Sequence, residues 1–146
     1  MPAFTTFASP EHGFKIDVPV GWKLTVKRER SGAGFFARLV DAFSEQSVFI
    51  AAVPDGTGQF ARMGVEVRGV SEQASRRQRV EYQGETRTLV AGLPAVEANY
   101  TLAGTCFRKF AVVSGQHEYL LNFGHDGSLS DDLIDVIVDS FQFVDR

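Results

Sequence analysis

The residues equipped for acid–base, nucleophilic or metal chemistry are few: three histidines, one cysteine and scattered carboxylates. His117 and His125, with Glu118 and Asp126 beside them, offer the imidazole and carboxylate donors that suit zinc or a similar divalent ion. They stand eight positions apart, which on an extended strand is more than ~25 Å. Without a sharp bend they cannot share a metal, and His125-Asp126-Gly127 reads as a turn ahead of a helix. Cys106 would need a histidine at its sulfur to act as a nucleophile. No local signature surrounds it, and a free cysteine on a strand is most simply a small buried apolar residue. No G-x-S-x-G elbow gives a serine triad a location. Gly32-Ala33-Gly34 and Gly56-Thr57-Gly58 are too short to cradle a phosphate and lack a following lysine. The sequence therefore predicts no catalytic residue, no cofactor and no metal site. A hydrolase or metal enzyme built on His117, His125 or Cys106 ranks last among the readings.

Binding residues are more legible than reacting ones. Phe35, Phe36, Leu39, Val40 and Phe43 follow a glycine turn at helical spacing, with Arg38, Asp41 and Glu45 on the other side. This pattern predicts a short amphipathic helix. If its apolar stripe is wider than the core can cover, the excess marks a groove for a partner; the plainer alternative is core packing. Arg76 and Arg77 belong to a locally basic stretch with Arg62, Arg68, Arg79 and Arg87, diluted by Glu66, Glu72, Glu81 and Glu85. They are candidate rim cations for an acidic partner, although a solvated helix face is the simpler account. Trp22 reads as a core residue.

These side chains must be positioned by a small number of elements. The chain has 146 residues and a formal net charge of -3, a length that suits one domain over 1–146 and a charge that argues against nucleic-acid binding. No apolar run is long enough for a membrane span. Residues 1–10 show no basic start followed by an apolar run, so no secretory leader is read and a cytoplasmic protein is expected. Alternation predicts strands at Phe14, Ile16, Val18 and at Trp22, Leu24, Val26. Further strands are predicted at 48–53, 63–67, 79–82, 86–91, 95–102, 106–113 and 118–123, mostly joined by glycine turns as in an antiparallel meander. Residues 71–79 read as a short exposed helix or a helical loop. Ser128 with Asp131 resembles a capping box ahead of a helix whose stripe is Leu129, Leu133, Ile134, Ile137 and Val138. A short last strand follows at Phe141 and Phe143.

Three segments carry a family resemblance. His12-Gly13-Phe14-Lys15-Ile16-Asp17-Val18-Pro19-Val20-Gly21-Trp22 resembles the F-x-I-x-x-P-x-x-W opening of the PsbP-like superfamily. Gly92-Leu93-Pro94-Ala95 before Glu97 to Tyr100 is similar to its G-x-P-A segment. Tyr119-Leu120-Leu121-Asn122-Phe123, a helix, and Ser140-Phe141-Gln142-Phe143 resemble its closing strand, helix and S-F-x-F end. The resemblance implies an α+β fold, an antiparallel sheet of about six or seven strands with helices on both faces, an α-β-α sandwich. It spans photosystem II extrinsic subunits and their cyanobacterial relatives, a Ran-GTPase-binding nuclear import factor, DcrB-like lipoproteins and chaperones for type VI secretion effectors. None is characteristically an enzyme, and fold alone does not fix function. The expected function is a non-enzymatic protein-binding accessory or chaperone-like domain, with a protein partner such as a secretion effector and a monomeric or homodimeric state. The alternative is a small-molecule or lipid carrier with a pocket between sheet and helices.

Overall fold

The computed structural model describes residues 2–30, 34–53, 80–102, 104–114 and 117–144. Along them run β1 (Phe4–Ser9), a 3-10 turn (Pro10–His12), β2 (Phe14–Pro19), β3 (Trp22–Arg30), β4 (Gly34–Asp41) and β5 (Ser47–Val53). Then follow β6 (Val80–Val90), β7 (Leu93–Leu102), β8 (Thr105–Ser114), β9 (His117–His125), α1 (Asp131–Ser140) and β10 (Gln142–Phe143). Seven strands form one antiparallel sheet in the order β3-β4-β5-β9-β8-β7-β6, and a small sheet has the order β1-β2-β10.

Alternation decides which face each strand buries. On β2, Phe14, Ile16 and Val18 are wholly buried while Lys15 is exposed. They pack with Phe35, Leu39, Ile50, Tyr119, Leu121 and Phe123 of the large sheet and with Ile134, Ile137 and Val138 of α1 in one core. The small sheet and the helix thus cover the same face of the large sheet, here called the inner face. Burial of each large apolar side chain in this layer is worth roughly 1.5–3 kcal/mol. The chain ends are tied together there: β10 pairs with β2, and the Asp17 N–H donates to Ser140 Oγ at 2.9 Å. A second, smaller cluster of Ala51, Ala111 and Leu120, with Phe36, Phe49 and Val53 against it, lies on the outer face.

The antiparallel seven-stranded sheet agrees with expectation, but helices on both faces do not. Among the described residues α1 is the one α-helix. The segment expected to be an amphipathic helix through Phe35, Phe36, Leu39, Val40 and Phe43 is strand β4 and the turn after it. Phe35, Ala37 and Leu39 point into the main core, whereas Phe36 packs in the outer cluster. A strand with apolar residues on both faces loses its period of two, and the pairs 35/36 and 39/40 then imitate a helical stripe. Gly34 starts this strand at φ +112°, with its Cα so close to β5 that an added Cβ would stand 2.7 Å from the Ala52 carbonyl oxygen. The strands expected at 79–82 and 86–91 are one strand, β6, and Gly84 is the site of a register shift within it. The helix cap is Ser130, whose Oγ accepts the Leu133 N–H at 3.2 Å, rather than Ser128. Strand β1 was not legible in advance. The strand expected at 63–67 and the helix over 71–79, with Arg76 and Arg77, lie outside the described residues.

Candidate functional site

Pairing of β8 with β9 sets Cys106 directly opposite His125, a juxtaposition that sequence spacing does not reveal. The geometry does not make a nucleophile and base of the two. His125 Nδ1 accepts the Gly127 N–H at 3.0 Å, so the neutral ring carries its proton on Nε2. That nitrogen is then a donor, not the lone pair that a general base presents to a thiol. Burial pushes the His125 pKa below the ordinary histidine value, against the opposing pull of Asp131 and Asp126. Ser128, through its hydroxyl and its N–H, holds the Asp126 carboxyl below the usual carboxylate range. His117 begins the strand that His125 ends, so the two do not meet. His12 is used structurally: its ring stacks on Phe35 at 4.7 Å, its Nδ1 is 2.7 Å from Ser9 Oγ, and its carbonyl accepts the Tyr119 hydroxyl. Among the described residues no three His, Cys, Asp or Glu side chains are grouped to hold a metal.

Sequence reasoning missed the main polar cluster of the inner face. Arg108 Nη2 lies 2.8 Å from Glu97 Oε1 and 2.8 Å from Asp135 Oδ1, and the guanidinium stands 5.1 Å from the Phe110 ring centroid. Burial opposes the charge, but Glu97 and then Asp135 outweigh it and raise the Arg108 pKa above its ordinary value. The cluster joins β7, β8 and the first turns of α1, and so fixes where the helix sits on the sheet. One signal was available: Arg108 interrupts an otherwise mostly apolar strand.

The outer face carries the candidate binding residues. Cross-strand register aligns Val40, Ser47, Gly124, Phe107 and Tyr100 in one row across β4, β5, β9, β8 and β7. Gly124 has no positive φ that demands glycine; what excludes a side chain there is the Phe107 ring, 3.2 Å from where a Cβ would stand. Tyr100 stacks on that ring at 4.9 Å. Val40, Ser47, Gly124 and Phe107 of this row line a groove of about 480 Å³, together with Arg38, Ser44, Glu45 and Thr105. A smaller recess of about 130 Å³ lies near the other end of the strands, bordered by Arg87, Pro94 and Val113 among others.

Beside the groove the turn from β4 to β5 holds Phe43 98% exposed. The turn is braced: Asp41 Oδ1 accepts the Phe43 N–H, Asp41 Oδ2 accepts the Ser44 hydroxyl, and the Asp41 N–H donates to the Gln46 carbonyl. Gln46 Nε2 in turn donates to Ser128. Of the candidate partner-binding residues, Phe35 and Leu39 are therefore core, Phe36 and Val40 are half-buried on the outer face, and Phe43 is in solvent.

The seven-stranded antiparallel sheet, with the small sheet and α1 on one face, is a fold that this chain shares with solved PsbP-like structures. The chain is similar to the solution structure of cyanobacterial PsbP (CyanoP) from Synechocystis sp. PCC 6803, with TM-score 0.67 and 15% identity over 98% of this chain and 94% of that one. It is also similar to a structure from Bacteroides thetaiotaomicron VPI-5482, with TM-score 0.60 and 10% identity over 97% of this chain and 48% of that one. At these identities the likeness is one of fold. No family model matches the chain, and no curated protein does. The cytoplasmic expectation does not stand: the chain shares its fold with cyanobacterial PsbP, and that likeness gives no ground for placing it in the cytoplasm. Among the described residues no helix is long and apolar enough to cross a membrane.

Proposed function

We propose that the chain is a single non-enzymatic, protein-binding accessory domain that engages its partner through the outer-face groove and the Phe43 turn. The observation that carries this reading is Phe43 itself. A phenylalanine in water forgoes roughly 1.5–3 kcal/mol of burial, and here a braced turn holds it out rather than letting it collapse. Aromatic anchors on preorganised turns are the side chains that contribute most to protein interfaces. Val40 and Phe107 extend the apolar contact, and Arg38 supplies orientation at the rim. A secretion effector is one partner of suitable kind, and Arg76 and Arg77 are further rim candidates.

The test is affinity capture from the native host with tagged wild type beside Phe43→Asp, whose melting temperature should match wild type. A protein retained by wild type and lost by the variant supports the reading; equal capture by both overturns this choice of surface. The groove volume favours a second reading, a small-molecule carrier, which native mass spectrometry would support by an added mass that travels with the protein.

A further inference from the structure

The outer-face groove is lined mainly by polar groups, and the hydrogen bonds those groups can still make describe a ligand. Ser47 is only 7% exposed, and its Oγ stands 3.4 Å from where a Cβ on Gly124 would lie, so its hydroxyl belongs to the groove floor. Neither this hydroxyl nor that of Thr105, which also lines the groove, has a hydrogen-bond partner among the described residues. Ser44 differs: its Oγ donates to Asp41 Oδ2 and accepts the Gln46 N–H, and so is spent on the turn. The groove's two charged residues, Arg38 from β4 and Glu45 from the turn, have opposite sign. Both are exposed, and neither has an ion-pair partner among the described residues, each other included. The one aromatic ring of the groove is that of Phe107. Tyr100 stacks on it at 4.9 Å with 17° between the planes, which holds it as a fixed wall.

A guanidinium only donates hydrogen bonds, a carboxylate only accepts them, and serine and threonine hydroxyls do both. An anionic ligand would answer Arg38 and be repelled by Glu45, and a cationic ligand the reverse. A sugar hydroxyl both donates and accepts, so a ring that carries several can answer Arg38, Glu45, Ser47 and Thr105 together with no net charge. The C–H hydrogens of a sugar ring are slightly positive and pack on the negative face of an aromatic ring. The groove volume of about 480 Å³ lies within the range of small-molecule sites. We infer that the groove binds a neutral saccharide of one or two rings, held by the Ser47 and Thr105 hydroxyls, by Arg38 and Glu45, and by C–H contact with Phe107. This rests on the second reading above, the groove as a small-molecule site, and names its ligand class. Phe43, beside the groove, stays available to a protein partner.

Saturation-transfer NMR and titration calorimetry on the whole chain test the inference. The probes are maltose, cellobiose, lactose, sucrose and N,N'-diacetylchitobiose at millimolar concentration, beside glycylglycine and citrate as charged controls. At least one sugar should bind, with saturation passing from aromatic protons of the protein to its ring hydrogens. Its affinity should change by less than about twofold between low and high salt, because a neutral ligand brings no charge to screen. Ser47→Ala and Thr105→Val should each weaken binding about three- to tenfold, the loss of one neutral hydrogen bond. Arg38→Met and Glu45→Ala should weaken it at least about tenfold, because their hydrogen bonds are charge-assisted, and Glu45→Gln, which keeps an acceptor, should retain part of it. Phe43→Asp should leave it unchanged, and melting temperatures should show that the Arg38, Glu45 and Thr105 variants fold. Binding of no sugar in the panel overturns the inference, as does sugar binding indifferent to all four residues, or binding of glycylglycine or citrate alone. If no sugar binds but native mass spectrometry shows another added mass that Arg38→Met loses, the saccharide is overturned and the small-molecule reading stands. If no sugar binds and no added mass travels with the wild type, both fall.

Discussion

His125 and Arg108 both lie on the buried face of the large sheet, and they resolve the conflict between charge and burial in opposite ways. The histidine gives up its charge, and the arginine keeps its own among carboxylates. For His125 the folded pKa lies below the unfolded value of about 6.5. The unfolded chain therefore binds more protons as the pH falls through this region. Stability from this residue is complete above about pH 6.5 and declines as the pH drops toward the folded pKa, with a slope of at most ~1.4 kcal/mol per pH unit. Urea denaturation at a series of pH values should show the decline in wild type, and His125→Asn should flatten it. Arg108 poses the reverse case. Removing it leaves Glu97, only 13% exposed, as a nearly buried carboxylate without its cation. Arg108→Leu is expected to destabilise by about 2 kcal/mol, below the range for fully buried pairs because some solvent reaches the cluster. Asp135 is 54% exposed, so Asp135→Asn should cost less than about 1 kcal/mol. A similar loss in both variants would mean that Arg108 acts through Asp135 rather than through Glu97.

At the scale of elements, legibility followed one-sidedness. Strand β2, with Phe14, Ile16 and Val18 against Lys15 and Asp17, and helix α1, with a single apolar stripe, each bury one face, and their periodicity is plain in the sequence. Strand β4 carries apolar side chains on both faces, and its pattern fits a helix as well as a strand; pairing with β3 and β5 decides between them, and that information is not local. β6 was legible as strand but not as one strand, because glycine at 84 marks a register shift in the same letters that mark a turn. The candidate site divides the same way. Phe43 and Val40 were singled out as part of a helical stripe that the strand does not have, whereas the row that brings Val40, Gly124 and Phe107 together exists only in the register of four strands. Two substitutions test the local geometry. Gly34→Ala combines a positive φ with a Cβ 2.7 Å from a backbone oxygen and should cost more than about 2 kcal/mol, whereas Gly21→Ala at φ +103° in open space should cost about 1 kcal/mol from strain alone. Ser130→Ala should cost about 1 kcal/mol as a lost cap, and Ser128→Ala less than that.

Taken as a whole, the molecule distributes its aromatic residues unequally between holding itself together and facing outward, and the division can be measured with one residue type. Phe14 is wholly buried and lies within 5.7 to 6.2 Å of Phe7, Phe35, Tyr119 and Phe141, ring centroid to centroid. It links the small sheet, the large sheet and the segment after α1, so no single neighbour can relax into the space it leaves. Phe14→Ala is expected to cost about 3–5 kcal/mol, a large share of the stability of a domain this size, and to unfold the ends and the sheet together rather than one at a time. Phe43 touches solvent alone, and Phe43→Ala should change stability by less than about 0.5 kcal/mol. Denaturation curves for the two variants should therefore differ by several kcal/mol. If Phe43→Ala were destabilising as well, its ring would be part of the packing of the fold and would not be available to a partner. If it is neutral while capture is lost, the fold and the binding surface are separate properties of one chain, with the inner face carrying the first and the outer face the second.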